Sequence, residues 1–341
     1  MATSSGSDVL RVSAIVVTYE RPEYLECCLD HLLAQTHSAM EIIVVDSSAT
    51  RRSADLIAER FPSVRYIACL AGRGAIATAR NLGLESATGD VIGFIDDDAF
   101  AAPDWLEQLL PYYADGLVGG VGGRQISGQP NEIEEGLDEI GRLRKDGTLT
   151  GNFAADPGRV VEVDHLLGTN MSFRRAVLAD LPGIRDGYPW PCLREETDLC
   201  FRVVASGYRL LYAPDAVVEH VAAPYAKGSR FDLRYAYFQQ HNHLILLVRN
   251  FGIGAMVTRH YVVGSLRTVS RNWREGIVRA SDRARHGDYE GAARAFVNSM
   301  LRGAILVVAT PVGLAHGALL AHQDHGARRF PLPFRLFGDR R

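Results

Sequence analysis

The chain of 341 residues lacks any CxxC pair or zinc-ligand spacing. Its five cysteines, Cys27, Cys28, Cys69, Cys192 and Cys200, are odd in number, and the first two are adjacent in an apolar helical pattern. Buried free thiols in a reducing compartment fit this better than a disulfide framework. Met1 to Asp8 is small and polar, with neither the basic n-region nor the apolar h-region of a secretory leader. Residues 1–8 are therefore expected to be disordered and the chemistry cytoplasmic. There is no Walker-type glycine loop, no Asp-x-Asp-x-Thr arrangement, and no zipper or aromatic–basic interleaving. These absences argue against P-loop and phosphatase chemistry and against a nucleic-acid partner.

What is present is a soluble-type composition, 47% hydrophobic and 23% charged, arranged as repeating strand–helix units. Val12–Val17, Ile42–Val45, Val64–Cys69 and Val91–Ile95 are short apolar runs rich in β-branched residues, separated by segments with helical spacing. That alternation predicts an α/β fold, a mostly parallel twisted sheet with helices on both faces. Ligands in such sheets bind at the carboxyl ends of the strands. Those ends here carry Thr18-Tyr19, Asp46 and Asp96-Asp97-Asp98.

Three successive carboxylates after a buried strand repel one another unless a hard cation sits among them. Mg2+ or Mn2+ takes oxygen ligands, commonly one or two carboxylates plus substrate phosphates. An ion so placed could neutralise a diphosphate leaving group. The bland alternative is an exposed acidic loop.

The stretch Ser13 to Tyr19, then Glu41 to Ser48, Ala79-Arg80-Asn81 and Gly89 to Asp98, resembles family 2 glycosyltransferases of the GT-A fold over roughly residues 9–225. The resemblance implies an inverting, metal-dependent transfer of a sugar from a nucleotide diphosphate sugar to an acceptor hydroxyl, the enzyme being a hexosyl- or deoxyhexosyltransferase. Thr18, Tyr19 and Arg21 would line the nucleotide, Asp46 would read the base, and Arg80 would lie near the diphosphate or base. Asp96 and Asp98 match the ends of the family's DxD motif, with Asp98 the direct ligand of Mg2+ or Mn2+ and Asp97 its variable middle. Many relatives carry Asp or Asn where this chain has Ser47, which leaves the nucleobase open.

Glu195-Glu196-Thr197-Asp198 opens a predicted helix, where acids also suit the helix dipole. By resemblance Glu196 stands where relatives place the base aspartate, with Asp198 in the same catalytic group and, with Arg202, bracing the site. Glu195, Asn170 and Trp190 fall on the acceptor side. Gly168-Thr169-Asn170 reads equally as a tight turn, and Trp190 equally as a sugar platform or a core aromatic. His220, after a predicted loop from Ala213 to Glu219, is either a further metal ligand or an ordinary hydrogen-bonding residue.

The predicted organisation is 9–122 for the nucleotide-binding half, 123–225 for the acceptor half, and a basic helical extension over 226–341. That extension holds 18 Lys and Arg against 7 Asp and Glu, whereas the first 225 residues hold 19 against 33. The asymmetry suggests a protein peripheral on the anionic inner face of the cell membrane. Residues 303–321 are uncharged, but Pro311, His316 and three glycines interrupt them. They read as a buried hairpin helix or an interfacial one before a membrane span. The function expected is assembly of cell-surface polysaccharide or glycolipid on a glycan or lipid-linked acceptor. Its rivals are a non-catalytic sugar-binding relative and another metal-dependent nucleotide-phosphate enzyme.

Overall fold

The computed structural model describes residues 10–37, 40–126, 137, 139–189, 192–221, 223 and 232–324. Met1 to Asp8 and Trp190 lie outside them, and their expectations stay untouched. The described residues form two compact units. One comes from the spans Met1–Arg142, Thr150–Asp186 and Glu196–Ala223, the other from Leu143–Leu149, Gly187–Glu195 and Pro224–Arg341.

The first unit opens with β1 (Val12–Thr18), α1 (Pro22–Leu33), β2 (Met40–Asp46), α2 (Arg52–Arg60), β3 (Arg65–Ala68), α3 (Ile76–Ser86) and β4 (Val91–Asp96). These strands pair in parallel in the order β3-β2-β1-β4. The apolar runs of β1, β2 and β4 are covered on both faces, as a parallel sheet between helices requires. Pro22 starts α1, which buries Leu25, Leu29 and Leu32.

Beyond β4 the sheet becomes mixed. β5 (Ala99–Ala101), α4 (Trp105–Leu109), β6 (Val118–Ile126), β7 (Val161–Val163), β8 (Met171–Arg174), α5 (Arg175–Ala179), α6 (Glu195–Ala205) and β9 (Arg209–His220) follow. β8 runs antiparallel between β4 and β6, β6 is parallel to β9, and β5 and β7 pair antiparallel with β9.

The loop expected from Ala213 to Glu219 is instead the second half of β9. Pro214 within it cannot donate to a ladder. The β6–β9 register jumps from Gly123↔Ala213 to Arg124↔Val217, so the proline sits in a bulge and the strand resumes.

The second unit is helical: α7 (Leu233–Phe251), α8 (Met256–Arg285) and α9 (Tyr289–Gln323), with α9 packed along both others. Among the described residues α9 is the one helix long and apolar enough to cross a membrane.

Candidate active site

Register places the polar strand ends together. Thr18 of β1 stands opposite Asp46 of β2, and Val17 opposite Asp96 of β4, so the three following loops share one edge of the sheet.

Asp46 is buried; its Oδ1 accepts from the Ser48 backbone at 2.9 Å and its Oδ2 from the Tyr66 hydroxyl at 3.1 Å. Burial, reinforced by Asp46, pushes Tyr66 up to about 12, which keeps its proton in that bond. Tyr66 ends no motif, and its part is visible only once β3 pairs with β2. Glu20, at φ 54°, is a second feature the sequence did not disclose. Its carboxylate accepts from the backbone N–H groups of Ala49 and Thr50 and from the Thr50 hydroxyl. The left-handed turn, which costs a non-glycine residue about 1–2 kcal/mol, is thereby held, and Arg21 follows it into the acidic cluster. Tyr19 is half-buried beside it.

The three aspartates have three surroundings. Asp97 is fully buried and accepts from the Thr18 hydroxyl at 2.7 Å, with Arg21 at 2.5 Å. Burial pushes its carboxyl up to about 7, against the opposing pull of Arg21. Asp98 Oδ2 accepts from the Ala223 backbone at 2.9 Å and from Arg21 at 3.1 Å, while its Oδ1 lies 3.4 Å from His220 Nε2. Burial would raise Asp98, but His220 and Arg21 outweigh it and hold the carboxyl below its ordinary value. Asp96 is more open and takes Arg80 at 3.1 Å. The β5–β9 pair sets Ala99 opposite His220, which is why residues 98 and 220 meet.

Arg80 is not a surface helix residue. It is buried, donates to Asp96 and to the Gly168 carbonyl at 3.2 Å, and lies over the Phe94 ring. A Cβ on Gly168 would come to 2.9 Å from the guanidinium, so a larger residue there would have to displace Arg80. The neighbouring Asn81 bonds both backbone groups of Ile184, tying α3 to the segment before α6.

On the expected acceptor side, Asn170 is held by three side-chain hydrogen bonds. Its Oδ1 accepts from the Trp105 indole at 2.9 Å, and its two amide hydrogens go to the Arg124 and Ala216 carbonyls. Buried and so engaged, it joins β6, β9 and α4. Asp198 is fully buried, with Arg202 at 3.0 Å and Arg185 at 3.5 Å from its carboxylate. Arg202 also donates to the Gly183 carbonyl at 2.7 Å. Glu195 is buried as well, whereas Glu196, in the first turn of α6, is only half-buried. Among the described residues no three His, Cys, Asp or Glu side chains converge as a complete metal cage.

The mixed α/β sheet with helices on both faces is the GT-A fold of glycosyltransferases. The mannosyltransferase PcManGT from Pyrobaculum calidifontis, solved with GDP-Man and Mn2+, matches this fold with TM-score 0.55 over 94% of this chain and 88% of its own, at 19% identity. Residues 13–181 match the family model Glycosyl transferase family 2, and the chain belongs to that family as a glycosyltransferase. The glucosyl-dolichyl phosphate glucuronosyltransferase of Haloferax volcanii is 29% identical over 232 residues, 62% of this chain and 69% of its own. The pre-mycofactocin glycosyltransferase of Mycobacterium tuberculosis is 30% identical over 146 residues, 42% of this chain but 29% of its own.

Proposed function

We propose that the protein is an inverting, divalent-metal-dependent glycosyltransferase that moves a hexosyl or deoxyhexosyl group from a nucleotide diphosphate sugar to an acceptor hydroxyl. The observation that carries this is the pairing of Asp98 with His220 at 3.4 Å beside Asp96 and Arg21. One carboxylate and one imidazole, with Asp96 two residues away, suit Mg2+ or Mn2+, and substrate phosphates would complete the shell. Such an ion supplies charge neutralisation to the departing diphosphate.

Around it this chain's own groups do defined work. Asp46, fixed by Tyr66 and Ser48, accepts from the nucleobase, and Tyr19 lies beside it. Thr18 and Arg21 hold Asp97 and Asp98 in place, and Arg80 fixes Asp96. Glu196 takes the acceptor hydroxyl's proton as the new bond forms. The relatives support a nucleotide-sugar donor and, through the dolichyl phosphate substrate in one relative's name, a lipid-linked acceptor in polysaccharide or glycolipid assembly. An anionic membrane face on the cytoplasmic side belongs to the same reading.

Screening nucleotide sugars for hydrolysis and thermal stabilisation tests it. One donor should be hydrolysed with Mn2+ or Mg2+ and not with EDTA. Full activity in EDTA would refute metal dependence.

A further inference from the structure

In α9 the usual distribution of side chains is reversed. Its fully buried positions are Gly291, Ala292, Ser299, Gly303, Ala309, Thr310, Gly313 and Gly317, whereas a row of large apolar side chains faces outward beside the half-buried Ile305, Leu306, Leu314 and Leu320. Phe296, Leu301, Val307, Val308, Val312 and Leu319 are 42–56% exposed. At 100° per residue they fall on one half of the helix circumference. They run for roughly 35 Å at 1.5 Å per residue. From residue 295 to 321 the only Lys, Arg, Asp or Glu is Arg302.

The small residues let the helices approach closely. A Cβ on Gly303 would strike the Trp273 ring of α8, and one on Gly313 the His241 backbone of α7. Small residues inside with branched aliphatics outside is how helices pack where the surroundings are themselves apolar. In water the same arrangement leaves a contiguous apolar patch, which soluble monomers avoid.

Charge identifies the occupant. Along α8, Arg259, Arg267, Arg271 and Arg274 are exposed among Leu266, Trp273 and Ile277. A second copy seated by two-fold symmetry would bring these arginines toward their own counterparts. Anionic headgroups would neutralise them while the acyl boundary takes the aliphatic stripe. Arginines spread along α8, which packs against α9, also exclude a hairpin that crosses the bilayer.

We propose that α9 is a membrane-interface helix, lying in the plane of an anionic bilayer with its Phe296–Leu319 stripe among the upper acyl chains and the α8 arginines at the phosphates. This deepens the proposed function, on which it rests only for its consequence that the acceptor is met at a lipid surface. Attraction by charge alone would vanish at high salt, and burial of the stripe would not.

The test is flotation of the full-length protein with vesicles of phosphatidylcholine containing about one third phosphatidylglycerol. Binding should survive about 0.5 M salt and be released by alkaline carbonate. Trp273 fluorescence should be quenched by brominated acyl chains. Val308→Asp with Val312→Asp, and separately Leu319→Asp, should each lower partitioning about tenfold or more with unchanged melting. No flotation, complete release by salt, or resistance to carbonate would each overturn the proposal. So would concentration-dependent dimerisation that these variants abolish without vesicle binding. Donor hydrolysis is measured in the same samples. Flotation without hydrolysis would count against the transferase reading and leave the interface helix standing.

Discussion

Asn242 of α7 is fully buried, and its side-chain amide donates to the Pro189 carbonyl at 2.9 Å and the Leu193 carbonyl at 3.3 Å. The segment it grips leads directly into α6 and contains two non-glycine residues in left-handed geometry, Cys192 at φ 63° and Arg194 at φ 88°. Each such residue costs about 1–2 kcal/mol, roughly 3 kcal/mol together. Two neutral hydrogen bonds return about 2 kcal/mol; the Pro189 carbonyl keeps the Cys192 N–H at 3.1 Å, but weakening the Leu193 carbonyl's satisfaction adds about 1 kcal/mol. The two sums are of the same size, so the segment's geometry depends on Asn242. Truncation to Asn242→Ala should ease opening by about 2 kcal/mol, accelerating amide exchange of residues 187–195 about 30-fold. Glu196 begins two residues beyond Arg194, so turnover should fall about tenfold from misplacement of the base while the donor KM is unchanged. Exchange mass spectrometry and steady-state kinetics on the same samples decide it. Unchanged exchange would refute the strain argument, and faster exchange with normal turnover would refute the coupling to Glu196.

Asp98→Asn keeps the side chain's volume, and Asp97 still holds Arg21, so the protein should melt within a few degrees of the parent. Mn2+-dependent donor binding by calorimetry should nonetheless be lost, and retained binding would remove Asp98 from the metal site. Glu196→Gln should lower turnover by about 10² or more with donor affinity kept, whereas a loss of donor affinity would reassign the residue. Glu41 bonds Ser13 and Thr88; burial opposes its charge, but these bonds hold its carboxyl below the ordinary value. A depressed pKa contributes stability that is present above the unfolded value and lost as pH falls through the folded one. Glu41→Gln should therefore lower the melting temperature at pH 7, with the difference shrinking below about pH 4, and a pH-independent difference would contradict this.

Strand–helix alternation and the polar residues ending each strand were legible because both are local. A β-branched apolar run dictates a doubly covered strand, and whatever follows it must emerge at the sheet's edge. Thr18, Asp46 and Asp96 could thus be placed from their positions alone. Pairings between distant segments could not. Nothing near Tyr66 announces its bond to Asp46, and the meeting of Asp98 with His220 depends on β9 continuing past a proline whose bulge is visible only against β6. Asn170 makes the same point, since its motif position gave no sign of the hydrogen bonds that tie it to Trp105, Arg124 and Ala216.

The second unit divides the same way. Sequence alone showed that the C-terminal third is basic and, over 303–321, uncharged, and its spacing predicted the helices that α7, α8 and α9 form. Which side of α9 faces inward was beyond it, because valines and leucines alternate there with glycines, alanines and serines, and either set could pack. Packing against α7 and α8 decided the matter, since only Gly303, Gly313 and Gly317 let those backbones and the Trp273 ring approach, and Leu301, Val307, Val308, Val312 and Leu319 were left outside.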